Sequence, residues 1–142
     1  MTSLRLVPAV HRATHRIGLY LQGAGLGVSQ GEAHVLAQLA AGPASVAELH
    51  AAFAHRRSTL TSILDRLEGR GLVRRELHPH DRRSFLVTPT ASGRALARRV
   101  HSALAALEAA ALRGLRGADV AGCEAVLAAV QQAAQRGAGR DR

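Results

Sequence analysis

The sequence has no Lys and no Trp, and only one Tyr, two Phe, one Cys and one Met in 142 residues. Aromatics, which favour strands, make up 2% of the chain, so the composition favours helices built from Ala and Leu. A single thiol, Cys123, cannot close an intramolecular disulfide, which fits a reducing cytoplasm. It reads as a small buried residue of the last helix. No apolar run approaches the roughly 18–20 residues of a membrane span. Arg5, His11, Arg12, His15 and Arg16 interrupt any basic-then-apolar signal segment at the start. No Ser–His–acid arrangement, phosphate-binding loop or dinucleotide fingerprint is present, and the ten acids are spread thinly, mostly beside Arg. The expectation is therefore a protein that is not an enzyme and holds no cofactor.

What is present is a chain long enough for one domain, residues 1–142, with a core of small aliphatics. Net charge is +9, and all nineteen basic residues are Arg, a bias that GC-rich codons account for. The charge is uneven. Residues 56–99 hold eleven Arg and four acids, giving +7, whereas residues 1–55 and 100–142 carry +1 each. An excess confined to one third of the chain is the footprint expected for a polyanion partner; a merely solvated face interleaves acids in similar number.

Periodicity places helices over residues 4–22 (Leu6, Val10, Ala13, Ile17, Leu21), from Ser29 to about 40 (Val35, Leu36, Leu39), from Ser45 (Val46, Leu49, Phe53), and from a turn at Ala54–Arg57 to about Arg70 (Leu60, Ile63, Leu64, Leu67). Ser29-x-x-Glu32 and Ser45-x-x-Glu48 have the form of capping boxes, and Gly71 suits a left-handed C-cap. Residues 72–77 and 84–88 alternate as two strands around an Arg-rich tip, 78–83. Thr90 then caps a helix to about Ala111 (Leu96, Val100, Leu104, Leu107), and a last helix covers about 118–135. The fold class is mainly α with a small β-hairpin wing (α+β): a winged helix-turn-helix lobe over 29–90, flanked by dimerisation helices 4–22 and 91–135. The apolar stripes of the terminal helices exceed what one small domain hides, which points to a two-fold homodimer, the alternative being a compact monomer with wide helix faces. The outer face of the fourth helix offers Arg57, Ser58, Thr59, Thr61, Ser62, Asp65 and Arg66, small hydroxylated residues beside Arg, as a groove-approaching face requires.

The ordered set Ser58, Thr59, Thr61, Leu67, Glu68, Gly71, Leu72, Val73, Arg75, Asp81, Arg83, Thr90 and Gly93 resembles the pattern of the multiple antibiotic resistance regulator (MarR) family. The resemblance implies a cytoplasmic homodimeric transcription regulator, a repressor released by a small-molecule effector, that reads a pseudo-palindromic duplex with the 56–70 helix in the major groove and the 78–83 wing in the minor groove. The implied DNA contacts are Arg56, Arg57, Ser58, Thr59, Thr61, Ser62, Arg66, Arg74, Arg75, Asp81, Arg82 and Arg83, with Asp81 pairing with Arg83 to hold its fork in one rotamer. Three positions depart from the pattern. Arg56 stands where a capping Ser or Asp is usual, a loss of about 1 kcal/mol unless Ser58 caps one turn later or a phosphate takes the role. His78 replaces a common Asp, with His80 near the tip, so the loop gains positive charge near pH 6. Pro89 replaces a Leu, so the last strand is expected to end one residue early.

The resemblance also implies a small amphipathic or phenolic ligand between the dimerisation helices and the DNA-binding lobe, for which His11, His15, Tyr20, His34 and His101 are the candidates. His11 and His15 lie four apart on one helix face, and His34 and His101 would be the extra ligands if the signal were zinc. No Cys and no acid stands beside them, so no metal site is assigned. A solitary histidine on an apolar face is more commonly a structural residue. A DNA-binding architectural protein without an effector is the other alternative.

Overall fold

The computed structural model describes residues 1–53 and 56–139. Ala54 and His55, half of the turn expected before the fourth helix, lie outside the described residues. The chain divides into two compact units, Met1–Ala105 and Ala106–Arg142.

The first unit opens with α1, Val7–Gly23. It begins later than residue 4 because Pro8 occupies the first turn, where its missing N–H is no loss. Of the expected inward stripe only Leu21 is fully buried, and Leu6 stays exposed. Helix α2, Gln30–Leu39, starts at Ser29, whose Oγ accepts the Glu32 N–H at 3.2 Å. The reciprocal half of that box is not formed, because the Glu32 carboxylate is engaged elsewhere. Helix α3, Val46–Phe53, has the complete box: Ser45 Oγ accepts the Glu48 N–H at 3.0 Å, and Glu48 accepts the Ser45 N–H at 3.2 Å. Helix α4 follows over Arg57–Gly69, and α5 over Ala91–Ala111, crossing the boundary between the units.

The sheet has three strands rather than the two of a simple hairpin. Strand β2, Val73–Leu77, pairs antiparallel with β3, Phe85–Pro89, in the register Val73–Pro89 to Leu77–Phe85. A two-residue strand, β1 (Ala44–Ser45), adds to the other side of β3, opposite Val87 and Leu86. Ser45 thus serves both as strand and as helix cap. Strand β3 runs through Pro89, contrary to the early end expected from that proline. Thr90 donates its N–H to Leu72 O on the β2 side, at 3.0 Å. The nitrogen of Pro89 therefore faces the opposite edge, which β1 no longer covers, and no ladder bond is lost.

Packed between these elements is the principal core: Val35, Leu36 and Leu39 of α2, Leu49 of α3, Leu60, Ile63, Leu64 and Leu67 of α4, with Leu72, Val73, Val87 and Ala97. A smaller cluster joins Leu21, Leu26, Ala33 and Val100. Two of the contacts that seat α5 are made by one hydroxyl. Thr90 Oγ1 donates to Gly71 O at 2.6 Å and accepts the Gly93 N–H at 3.1 Å.

The second unit holds the end of α5 and helix α6, Gly117–Ala138, which Asp119 caps by accepting the Arg116 N–H at 2.9 Å. Gly114, at φ 81°, makes the break before it. No residue of α6 is buried within the chain, and Leu115, Val126 and Leu127 are exposed. Cys123 is exposed too, correcting the reading of it as a buried small residue: it shares the exposure of the whole helix. None of the described helices is long and apolar enough to cross a membrane.

Candidate nucleic-acid interface

Helix α4 is held down by its apolar side. Leu60, Ile63, Leu64 and Leu67 are each at most 2% exposed, and each such burial is worth roughly 1.5–3 kcal/mol. Arg57, Ser58, Thr59, Thr61, Ser62, Asp65 and Arg66 all remain on the surface, as the period required. Arg56 takes the N-cap position in extended conformation and makes no side-chain cap. Ser58 does not substitute for it; it lies inside the first turn, where its carbonyl accepts the Ser62 hydroxyl at 2.9 Å. At the other end Gly71 adopts φ 70°, with Gly71 N–H bonded to Glu68 O and Leu72 N–H to Leu67 O, both at 2.9 Å. That paired arrangement turns the chain straight into β2.

Two ion-pair clusters flank the helix, one on each side. On the β2 side Arg75 donates through Nε to Glu68 at 3.0 Å and through Nη2 to Asp65 at 2.6 Å. On the α2 side Arg66 Nε donates to Glu32 at 3.0 Å, and Arg70 lies 3.5 Å from the same carboxylate. Arg66 and Arg75, both expected at the DNA, are thus committed to protein carboxylates. Arg74 lies 3.7 Å from Glu76, both well exposed. Arg56, Arg57, Arg82 and Arg83 have no acidic side chain in ion-pair range among the described residues.

The Arg75 cluster has a pH signature. Hydrogen bonds from Arg75 hold the Glu68 carboxyl below its ordinary range, and Glu68 and then Asp65 raise the guanidinium further. A carboxyl lowered in the folded state stabilises fully above its unfolded pKa, about 4.3, and the contribution is lost as pH falls through the lower folded value. Arg75→Leu should therefore be less stable than the parent at pH 7, with the gap closing below about pH 4. Urea midpoints at pH 7 and pH 3 measure this; a gap independent of pH would assign the effect to packing of the arginine stem.

The wing tip is closed by its own backbone. His78 N–H bonds to Ser84 O at 3.0 Å, Asp81 N–H to His78 O at 3.3 Å and Ser84 N–H to Asp81 O at 3.2 Å. Asp81 does not pair with the Arg83 guanidinium as expected; its carboxylate accepts the Arg83 backbone N–H at 3.0 Å, a bond two residues long that needs no rotamer of the arginine. His78 Nδ1 accepts the His80 N–H at 3.1 Å, and the two rings stand 6.2 Å apart.

A groove joins these parts. Its walls are Val46, Ala47 and His50 of α3, Arg57, Leu60 and Thr61 of α4, and Arg83, Ser84 and Phe85 of the wing. The start of α4 and the wing tip therefore present arginines to one concave surface. His50 and Phe85 were not singled out from the sequence. Phe85 read as strand, and nothing local marks it as a residue left 49% exposed at the sheet's end.

The five effector candidates are more dispersed. Tyr20 Oη donates to Ala103 O at 2.8 Å, tying α1 to α5. His11 and His15 lie exposed on α1, and His34 is half-buried on α2. His101, on α5, lines a groove with Arg98, Ser102, Ala37, Gln38, Ala40 and Ala41 that the other four do not enter. Among the described residues no three His, Cys, Asp or Glu come together as metal ligands.

The family model of the MarR family matches residues 25–84, the span from the α1–α2 loop to the wing tip. No curated protein matches the chain significantly. Among solved structures, a MarR mutant from E. coli complexed with operator DNA is 29% identical, with TM-score 0.69 over 89% of this chain and 91% of that one. A probable transcriptional regulator from Pseudomonas aeruginosa is 25% identical, with TM-score 0.68 over 88% and 96%. NadR in complex with 4-hydroxyphenylacetate shares the fold at TM-score 0.77 and 20% identity over 92% and 94%. With the helix order, the three-stranded wing and the Thr90–Gly93 junction in place, the chain has the winged-helix fold of these MarR-family structures, and its residues 25–84 are similar to the family's model.

Proposed function

We propose that this protein is a cytoplasmic, homodimeric DNA-binding transcription regulator, a repressor released by a small amphipathic ligand. The observation that carries the reading is the groove shared by Arg57, Thr61 and Arg83, with Arg56 and Arg82 beside it and, among the described residues, no acidic side chain in ion-pair range of any of the four arginines. A protein that places α4 in the major groove and its wing in the minor groove of a duplex uses such a surface for phosphates and groove edges. The structural relative crystallised on operator DNA supports the reading. A second copy would bury the apolar residues of α6 and the exposed Leu4, Leu6 and Val7 in an isologous interface. The neighbour that holds 4-hydroxyphenylacetate makes phenolic acids the first ligands to try.

Salt-titrated binding to duplexes from around its own gene tests the proposal. Affinity should fall steeply as salt rises, with one operator preferred, and sedimentation should give a dimer at micromolar concentration. Weak, nearly salt-independent binding would sink the DNA reading, since phosphate contacts release counterions. A phenolic acid that leaves every complex intact would remove that ligand class.

A further inference from the structure

Glu32 is a nearly buried acid beneath the helix that faces the proposed duplex. Its side chain is 9% exposed, while those of Arg66 and Arg70, its partners, are 52% and 46% exposed. Both arginines sit on the flank of α4 turned toward α2. Arg70 also donates to Gly27 O at 2.8 Å, tying the same cluster to the α1–α2 loop. The carboxylate therefore engages two half-exposed guanidinium groups, one on the helix that would enter the groove and one at its C-cap.

We infer that Glu32 is a positioning residue for DNA discrimination. It occupies Arg66 and Arg70 as an internal counterpart of phosphate, and so fixes the rotation of α4 against α2. This rests on the DNA-binding reading above. Hydrophobic burial alone leaves that rotation soft, because four aliphatic side chains tolerate small rolls of the helix, whereas a bidentate-capable fork on a fixed carboxylate does not. An arginine released from Glu32 becomes a mobile cation beside the duplex. It would contact any phosphate in reach, whatever the sequence, and raise non-specific affinity more than specific affinity.

The test is Glu32→Gln in the full chain, with operator and random duplexes compared across salt. Each newly made phosphate contact steepens the log–log salt slope by about 0.9, so up to about 1.8 per protomer is expected, with a roughly tenfold loss of operator preference. Adding Arg66→Gln and Arg70→Gln to that variant should return the slope to the parent value. A folded Glu32→Gln protein with parental slope and preference, altered only in melting temperature, overturns the inference and leaves Glu32 structural. If that variant does not fold, Glu32→Asp, which draws the carboxylate back by one methylene, must give an intermediate slope; a parental slope there overturns it equally. Salt-insensitive binding by the unchanged protein defeats the DNA reading itself, and this inference with it.

Discussion

Gly93→Ala is expected to destabilise the protein by about 3 kcal/mol or more, the upper end of what overpacking a core costs. A Cβ at Gly93 would stand 2.8 Å from the carbonyl carbon of Leu72 and closer still to its oxygen. That peptide has nowhere to go. Leu72 O accepts the Thr90 N–H, Leu72 N–H is bonded to Leu67 O, and Gly71 O accepts the Thr90 hydroxyl. Any shift that relieves the clash breaks the junction of α4, β2 and α5 together. Against a total stability of about 5–15 kcal/mol, the loss leaves little margin. With a urea slope of about 1–3 kcal/mol/M, the midpoint should drop by at least about 1 M. Gly69→Ala is the contrasting case: a helical position with nothing within 4 Å of the added methyl, it should leave stability unchanged or raise it by a few tenths of a kcal/mol. Equal stability of the two variants would contradict the close approach at Gly93.

Arg83→Ala is expected to weaken duplex binding by about 1–3 kcal/mol, roughly 5–150-fold, and to flatten the salt slope by about 0.9 per protomer. Oligomeric state and melting temperature should not move. The argument lies in what Asp81 does. Its carboxylate is spent on the Arg83 backbone N–H, so the loop shape is set without drawing the guanidinium out of reach of a groove. Arg66→Ala makes the comparison sharp: its charge is already matched by Glu32, so the salt slope should hardly change. Equal slopes for the parent and Arg83→Ala would take the wing out of the mechanism.

The difference between those two arginines shows where sequence reading reached its limit. Period and capping are local, and they identified the ends and inward faces of the helices: the hydroxyls of Ser29, Ser45 and Thr90 cap as their spacing required, and Gly71 takes the left-handed turn. Period also placed Arg66 on the surface, but not opposite Glu32, which lies 34 residues away. Arg75 was legible as a family position, whereas its engagement by Asp65 and Glu68 depends on how the hairpin folds back along α4. Strand β1 escaped because two residues cannot display alternation. Pro89 misled because the rule against proline in strands concerns a nitrogen facing a neighbour, and here it faces an open edge. Cys123 is exposed because a small residue in a helix is buried only where that helix packs, which its local sequence does not reveal.

The wing tip, sealed by its own backbone bonds between His78 and Ser84, borrows nothing from the hydrophobic interior. Its stability and that of the scaffold are therefore separate quantities, and mutation can act on one without disturbing the other. Residues such as His80, Arg82 and Arg83 are open to replacement at almost no penalty in folding. A lineage bearing this scaffold could change which sequences it prefers by drift at the tip, long before any change became tolerable in the α4 seat beneath it.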